Sequence, residues 1–189
     1  GVSGFELYAS GTLKLNSASD GVTGLALTPR MNWTLATALA NDPDGLLTDL
    51  DILAAVALQV TGSAAIDIGN GALVATVTGV ELNLATMDVT DGTTTLTGAD
   101  ILSFTGTASL FAGVGGSLNG AHTAVVNGTI GFAVNSVSLS LVSATGALTD
   151  GANAGDSYVG VSVALSDAQL IGVSGFELYA SGTLKLNSA

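Results

Sequence analysis

The chain has 189 residues, with 15 acidic side chains against 3 basic ones and a net charge of −12 at pH 7. That balance excludes nucleic acid and anionic lipid as partners, because either needs several neutralising cations. Cysteine is absent, which removes disulfides and thiolate metal sites. Hydrophobic residues make up 48% but aromatics only 5%, with 26 glycines, a mixture that suits thin β layers better than a core of large rings.

The first segment, GVSGFELYASGTLKLNSA at 1–18, returns letter for letter at 172–189. The offset of 171 residues defines a long period, so that 1–171 is one period and 172–189 opens the next. Within the returning copy, Phe176 and Leu178 alternate with Glu177 and Tyr179, and Leu184 and Leu186 flank Lys185. Such alternation predicts strands with one buried and one wet face.

Next comes PRMNWTL, where Met31, Trp33 and Leu35 alternate. Arg30 and Trp33 lie close together and form the one candidate contact for a sugar or other ligand, although Trp33 is also expected to pack against a core or neighbour. NDPDGLLTDLD at 41–51 gathers Asp42, Asp44, Asp49 and Asp51. Calcium takes six to eight oxygens, so this turn is a candidate for a structural calcium site. It is not an EF-hand, because the first ligand position falls on Ala40. Solvated acidic turns that keep the chain soluble are the preferred reading. A bound calcium would show as a melting temperature lowered by chelation. LLTDLDILAAVAL at 46–58 fits both a short amphipathic helix and an alternating strand, and is read as strand. Its apolar run at 52–58 falls far short of the roughly 18 residues needed to span a membrane, so no membrane insertion is expected.

A second repeat follows. NGALVATVTGVELNLATM at 70–87 and NGTIGFAVNSVSLSLVSA at 127–144 keep their apolar positions in step at an offset of 57 residues. Moving back 57 from Leu82 and Leu84 reaches Leu25 and Leu27, so the period reads as three diverged units of about 57 residues. Beneath this, modules of about seven to nine residues each pair a small polar residue or Gly with a short alternating strand. The Asn-Gly pairs at 70–71 and 127–128 suggest two-residue hairpins, with 122–134 read as one. His122, the single histidine, has no orienting carboxylate in sequence and is expected at a surface or strand edge.

The fold expected is all-β, a parallel β-solenoid-like stack of short Gly-punctuated strands, with antiparallel hairpin repeats in a sandwich or meander as the alternative. The stretch YVGVSVALSDAQLIGVSGFELYASGTLKLN at 158–187 resembles the repeat units of very long tandem-repeat bacterial surface proteins. The resemblance implies an extracellular, elongated, adhesive or filament-forming role and brings no catalytic residues with it. The function expected is therefore a structural repeat of an extracellular filament, stalk or giant surface protein, whose partners are copies of itself. An adhesin or glycan-binding module is the alternative. A polysaccharide-degrading enzyme ranks last, and the chain is read as not an enzyme, with no cofactor unless calcium.

Overall fold

The computed structural model describes residues 4–27, 29–36 and 50–188. Seven long strands form one open antiparallel sheet: β1 Phe5–Leu15, β2 Val56–Ile68, β3 Leu73–Thr90, β4 Thr95–Val114, β7 Ile130–Thr145, β8 Ser157–Ile171 and β9 Tyr179–Ser188, in the spatial order β1-β2-β3-β4-β7-β8-β9. Two short strands, β5 Ser117–Leu118 and β6 Val125–Val126, pair as a separate hairpin inserted between β4 and β7. Among the described residues no α-helix forms; a single 3-10 turn spans Gly151–Asn153.

The chain is all-β, and its strands are antiparallel. The parallel solenoid is overturned, and the physical reason lies in the glycines. In a solenoid each module would end at a corner. Here consecutive modules run on into strands of up to 20 residues, about 65 Å at the usual rise per residue. The glycines between them sit inside strands, some in unbroken ladder pairs, such as Gly106 with Leu139 and Gly160 with Val142, and two as bulges. Gly79 adopts φ +59° where β3 slips register against β4 between Thr78 and Glu81. Gly98 adopts φ +61° and donates its N–H to the Asp88 carboxylate at 2.7 Å, beside the slip between Met87 and Val89. A left-handed residue serves a bulge as well as a corner, and the bulge adds twist without ending the strand.

Asn70-Gly71 makes the β2–β3 hairpin, with both residues at positive φ and Ile68 paired to Leu73. Asn127-Gly128 does not make a hairpin. It lies in the connection from β6 to β7, and those two strands pair with β5 and β4 respectively. Of the stretch 46–58, residues 46–49 lie outside the described residues, 50–55 are not strand, and β2 starts at Val56. Met31, Trp33 and Leu35 lie outside any strand. The 57-residue offset carries Leu82 and Leu84 of β3 onto Leu139 and Leu141 of β7; in the other direction it reaches Leu25 and Leu27, also outside any strand.

Register sorts the side chains onto two faces. On face A a row of paired residues crosses the whole sheet: Leu13, Val60, Leu82, Phe104, Leu141, Val161, Leu186. Face B is polar along its middle, where Gln59 donates to Glu81 and Asn83, and Asn83 donates to Glu81 and Ser103, at 3.0–3.3 Å. Toward its two ends face B turns apolar and is covered. At one end Val74 and Phe111 pair and are fully buried, with the β5–β6 hairpin touching β2, β3 and β4. At the other, Leu96, Ala99 and Ala144 form a small core with Ile101 and Tyr158 against it.

Candidate functional site

The residues singled out from sequence do not converge. Asp42, Asp44 and Asp49 lie outside the described residues. Asp51 has φ +44°, its carboxylate accepts from Lys14 Nζ at 3.1 Å, and its carbonyl accepts from the same ammonium at 2.9 Å. Among the described residues no group of three or more His, Asp or Glu is placed to hold a metal ion. Arg30 donates to the Ala55 carbonyl at 3.4 Å beside a shallow groove that also includes Met87 and Thr149. Trp33 is half-buried, and its indole N–H donates to Asn16 Oδ1 at 3.1 Å.

His122 sits in the loop of the β5–β6 hairpin with φ +56°, and its ring stacks on Tyr8 at 3.6 Å between centroids and 8° between planes. The Tyr8 hydroxyl donates to the Glu6 carboxylate at 3.1 Å. That bond, partial burial and the nearby Glu6 and Asp67 charges raise the phenol above its ordinary pKa. The acids of the turns serve the backbone. Asp20 accepts from the N–H groups of Val22 and Thr23 and from the Thr23 hydroxyl, and Asp91 accepts from the N–H groups of Thr93 and Thr94, all at 2.7–2.9 Å. These bonds hold both carboxyls below the usual carboxylate range. Asp150 likewise accepts from the Thr97 N–H at 3.0 Å.

What the fold does bring into relation is the repeated segment. Its first copy forms one edge of the sheet and its second copy the other. Identical residues meet opposite surroundings there. Asn16 is 2% exposed, and its amide bonds the Met31 carbonyl at 2.9 Å, the Leu53 carbonyl at 3.3 Å and Trp33. Its counterpart Asn187 is exposed, on the rim of a groove lined by Leu96, Ala144 and Tyr158. Tyr8 is 36% exposed under His122, while Tyr179 is 71% exposed. Lys14 reaches Asp51, whereas Lys185 is exposed.

Face A is the other open surface. Its leucines stay largely exposed at the edge, with Leu13 at 67% and Leu15 at 66%, and even mid-sheet Leu84 and Leu102 are 38% and 37% exposed. The chain exposes 11712 Å² in all. A compact monomer of 18.4 kDa would expose only about 8,200 Å².

Sequence reasoning missed Asn16 as a hub and the ring stack of His122 on Tyr8. Neither has a local signal, since the partners are 15 to 114 residues away. No protein-family model, no curated protein and no solved structure matches the chain.

Proposed function

We propose that this chain is a structural repeat of an extracellular filament, stalk or giant surface protein. The observation that carries this reading is the pairing of an open single-layer sheet with one identical sequence on both of its edges. The same segment at both edges is what a row of such periods would present at each boundary. The excess of exposed surface points the same way, because apolar area left in water near 25 cal/mol per Å² favours association. The acidic, lysine-poor composition and the likeness of 158–187 to surface-protein repeats support the extracellular placement.

The work assigned is mechanical, and copies of the same chain are the partners. Neither catalysis nor a cofactor is part of the proposal. The ligand-binding alternative would draw on Trp33, whose N–H already donates to Asn16, and on Arg30, one of whose N–H groups donates to the Ala55 carbonyl. Electron microscopy of the native assembly tests the proposal, with antibody labelling of intact cells for location. A continuous fibre at the cell surface is expected. Compact isolated particles, or label only after lysis, would overturn it.

A further inference from the structure

We infer that successive periods are joined by sharing the repeated strand. In this arrangement β9 is the first strand of the next period, and the array is one uninterrupted antiparallel sheet with six strands per period. This deepens the filament reading and rests on it for its biological setting.

The two copies use opposite edges of the same strand. In an antiparallel ladder each residue sends its N–H and C=O to one side, and alternate residues face alternate neighbours. Asn16 donates its backbone N–H to the Ala57 carbonyl at 2.9 Å, and the Gly4 carbonyl accepts from the Gly69 N–H at 2.6 Å. Pairing between β1 and β2 is unbroken from Phe5 to Leu15, so the even-numbered residues bond β2 and the odd-numbered ones face the open edge. In the second copy the Leu178 carbonyl accepts from the Leu170 N–H at 3.2 Å. Leu178 is the counterpart of Leu7, an odd-numbered residue, and Ala180 continues the series opposite Ala168. The edge that β1 leaves open is therefore the edge that β9 uses against β8. Conversely, the edge that β9 leaves open is the one β1 uses against β2. One strand can serve both neighbours at once without any group being claimed twice. The backbone agrees at the strand entry, where Gly4 and Gly175 have φ +78° and +77°.

Direction and facing also match. Six antiparallel steps separate β1 from β9, so both copies run the same way. The face-A row that starts at Leu13 ends at Leu186, the counterpart of Leu15, and the row that starts at Phe5 leads through the same ladders to Leu178, the counterpart of Leu7. The register advances by two residues per period. An even advance keeps leucines on face A, whereas an odd one would turn each period inside out. Sharing also supplies what the second copy lacks: the next His122 for Tyr179, and the next Trp33 segment for Asn187.

Amide hydrogen exchange resolved by residue tests this on the 189-residue chain and on a chain of two periods, 1–171 followed by 1–189. In the 189-residue chain, Tyr8, Ser10, Thr12 and Lys14 should exchange slowly in β1 and their odd-numbered neighbours fast. In β9 the slow set should be Ala180, Gly182, Leu184 and Leu186. In the two-period chain the middle copy should show both sets slowed by more than about 100-fold relative to the open-edge set. Each added period should lengthen the particle by about 29 Å, from six strands at about 4.8 Å. One-sided protection of the middle copy, or the same parity protected in β1 and β9 of the 189-residue chain, overturns the inference. Native fibres with a one-sided middle copy would leave the filament reading standing without strand sharing. Two-sided protection with compact native particles would do the reverse.

Discussion

The most discriminating substitution is the same one made twice. Asn16 and Asn187 occupy identical sequence, yet Asn16 makes three side-chain hydrogen bonds at 2.9–3.3 Å while 2% exposed, and Asn187 is exposed. Asn16→Ala removes all three bonds and leaves two carbonyls and the Trp33 N–H without that partner. At about 0.5–1.5 kcal/mol per bond, and more wherever water cannot replace it, the cost should be about 2–4 kcal/mol. Asn187→Ala removes a solvated side chain and should stay within about 0.5 kcal/mol. Urea unfolding followed by circular dichroism and Trp33 fluorescence reads both. With a slope of about 2 kcal/mol per M, Asn16→Ala lowers the midpoint by about 1–2 M and Asn187→Ala leaves it in place. Asn16→Asp should be no milder than Ala, since it keeps the acceptor for Trp33 but aims an oxygen at the Met31 and Leu53 carbonyls. In the two-period chain the substitution at 187 should become as costly as that at 16. Equal effects at 16 and 187 in the 189-residue chain would refute the reasoning, because they would mean that the difference in surroundings between the two copies has no energetic consequence.

Phe111→Ala empties a fully buried position paired with Val74 and should cost about 3–5 kcal/mol in the same unfolding assay; a loss below about 1 would show that the hairpin does not seal that end of face B. Two glycines at positive φ, one in a turn and one in a bulge, should separate cleanly. Gly71→Ala puts a Cβ into the Gly116 carbonyl at φ +87° and should cost more than about 3 kcal/mol, whereas Gly79→Ala has φ +59° but open space and should cost about 1–2 kcal/mol. Asp20 and Asp91 have carboxyls lowered chiefly by the N–H groups of Thr23 and Thr94, so the turns they hold are fully stabilised above the ordinary carboxyl pKa and lose that support as pH falls through the lowered values. Carboxyl titration by NMR should place both midpoints below about 3.9, and midpoints at or above it would contradict the turn geometry.

Much of the local pattern was legible because it depends on neighbours two residues away. Alternation in FELYA and TLKL marked the two-residue period of the edge strands but not a buried face, since Leu184 and Leu186 stay 55% and 57% exposed, and Asn70-Gly71 marked a true hairpin. What misled was glycine. A residue at positive φ reads the same whether it turns a corner or bulges a strand, so Gly79 and Gly98 looked like the ends of short coils. Only the pairing partner, tens of residues away, decides between them. Met31, Trp33 and Leu35 show the converse. They alternate like a strand, but Trp33 is held by backbone and side-chain bonds to Ile52 and Asn16, and the segment joins no ladder. The acids were read as solvated turns or a calcium cage. Asp20 and Asp91 are turn formers, a use visible in sequence only as Asp followed by Thr two or three residues on.

Copies of the chain as partners can bury surface at their edges or over their faces, and the two are not equivalent. Joining strand to strand covers edges: two exposed strands become one central strand, and the aggregation hazard of an open edge is confined to the ends of the row. It adds nothing over face A, because the next period extends the sheet within its own surface. Leu84 and Leu102 are already mid-sheet and still more than a third exposed, and further strands will not change that. With an even register advance at each shared strand, the leucine rows would run on through every join, and a long array would present a continuous apolar strip rather than one patch per period. At the usual rotation of about 20–25° between neighbouring strands, that strip would turn by roughly 120–150° per period. Whatever lies over the strip must follow it as a helix for the length of the array, so a cover built for a single flat period would lose contact within the next.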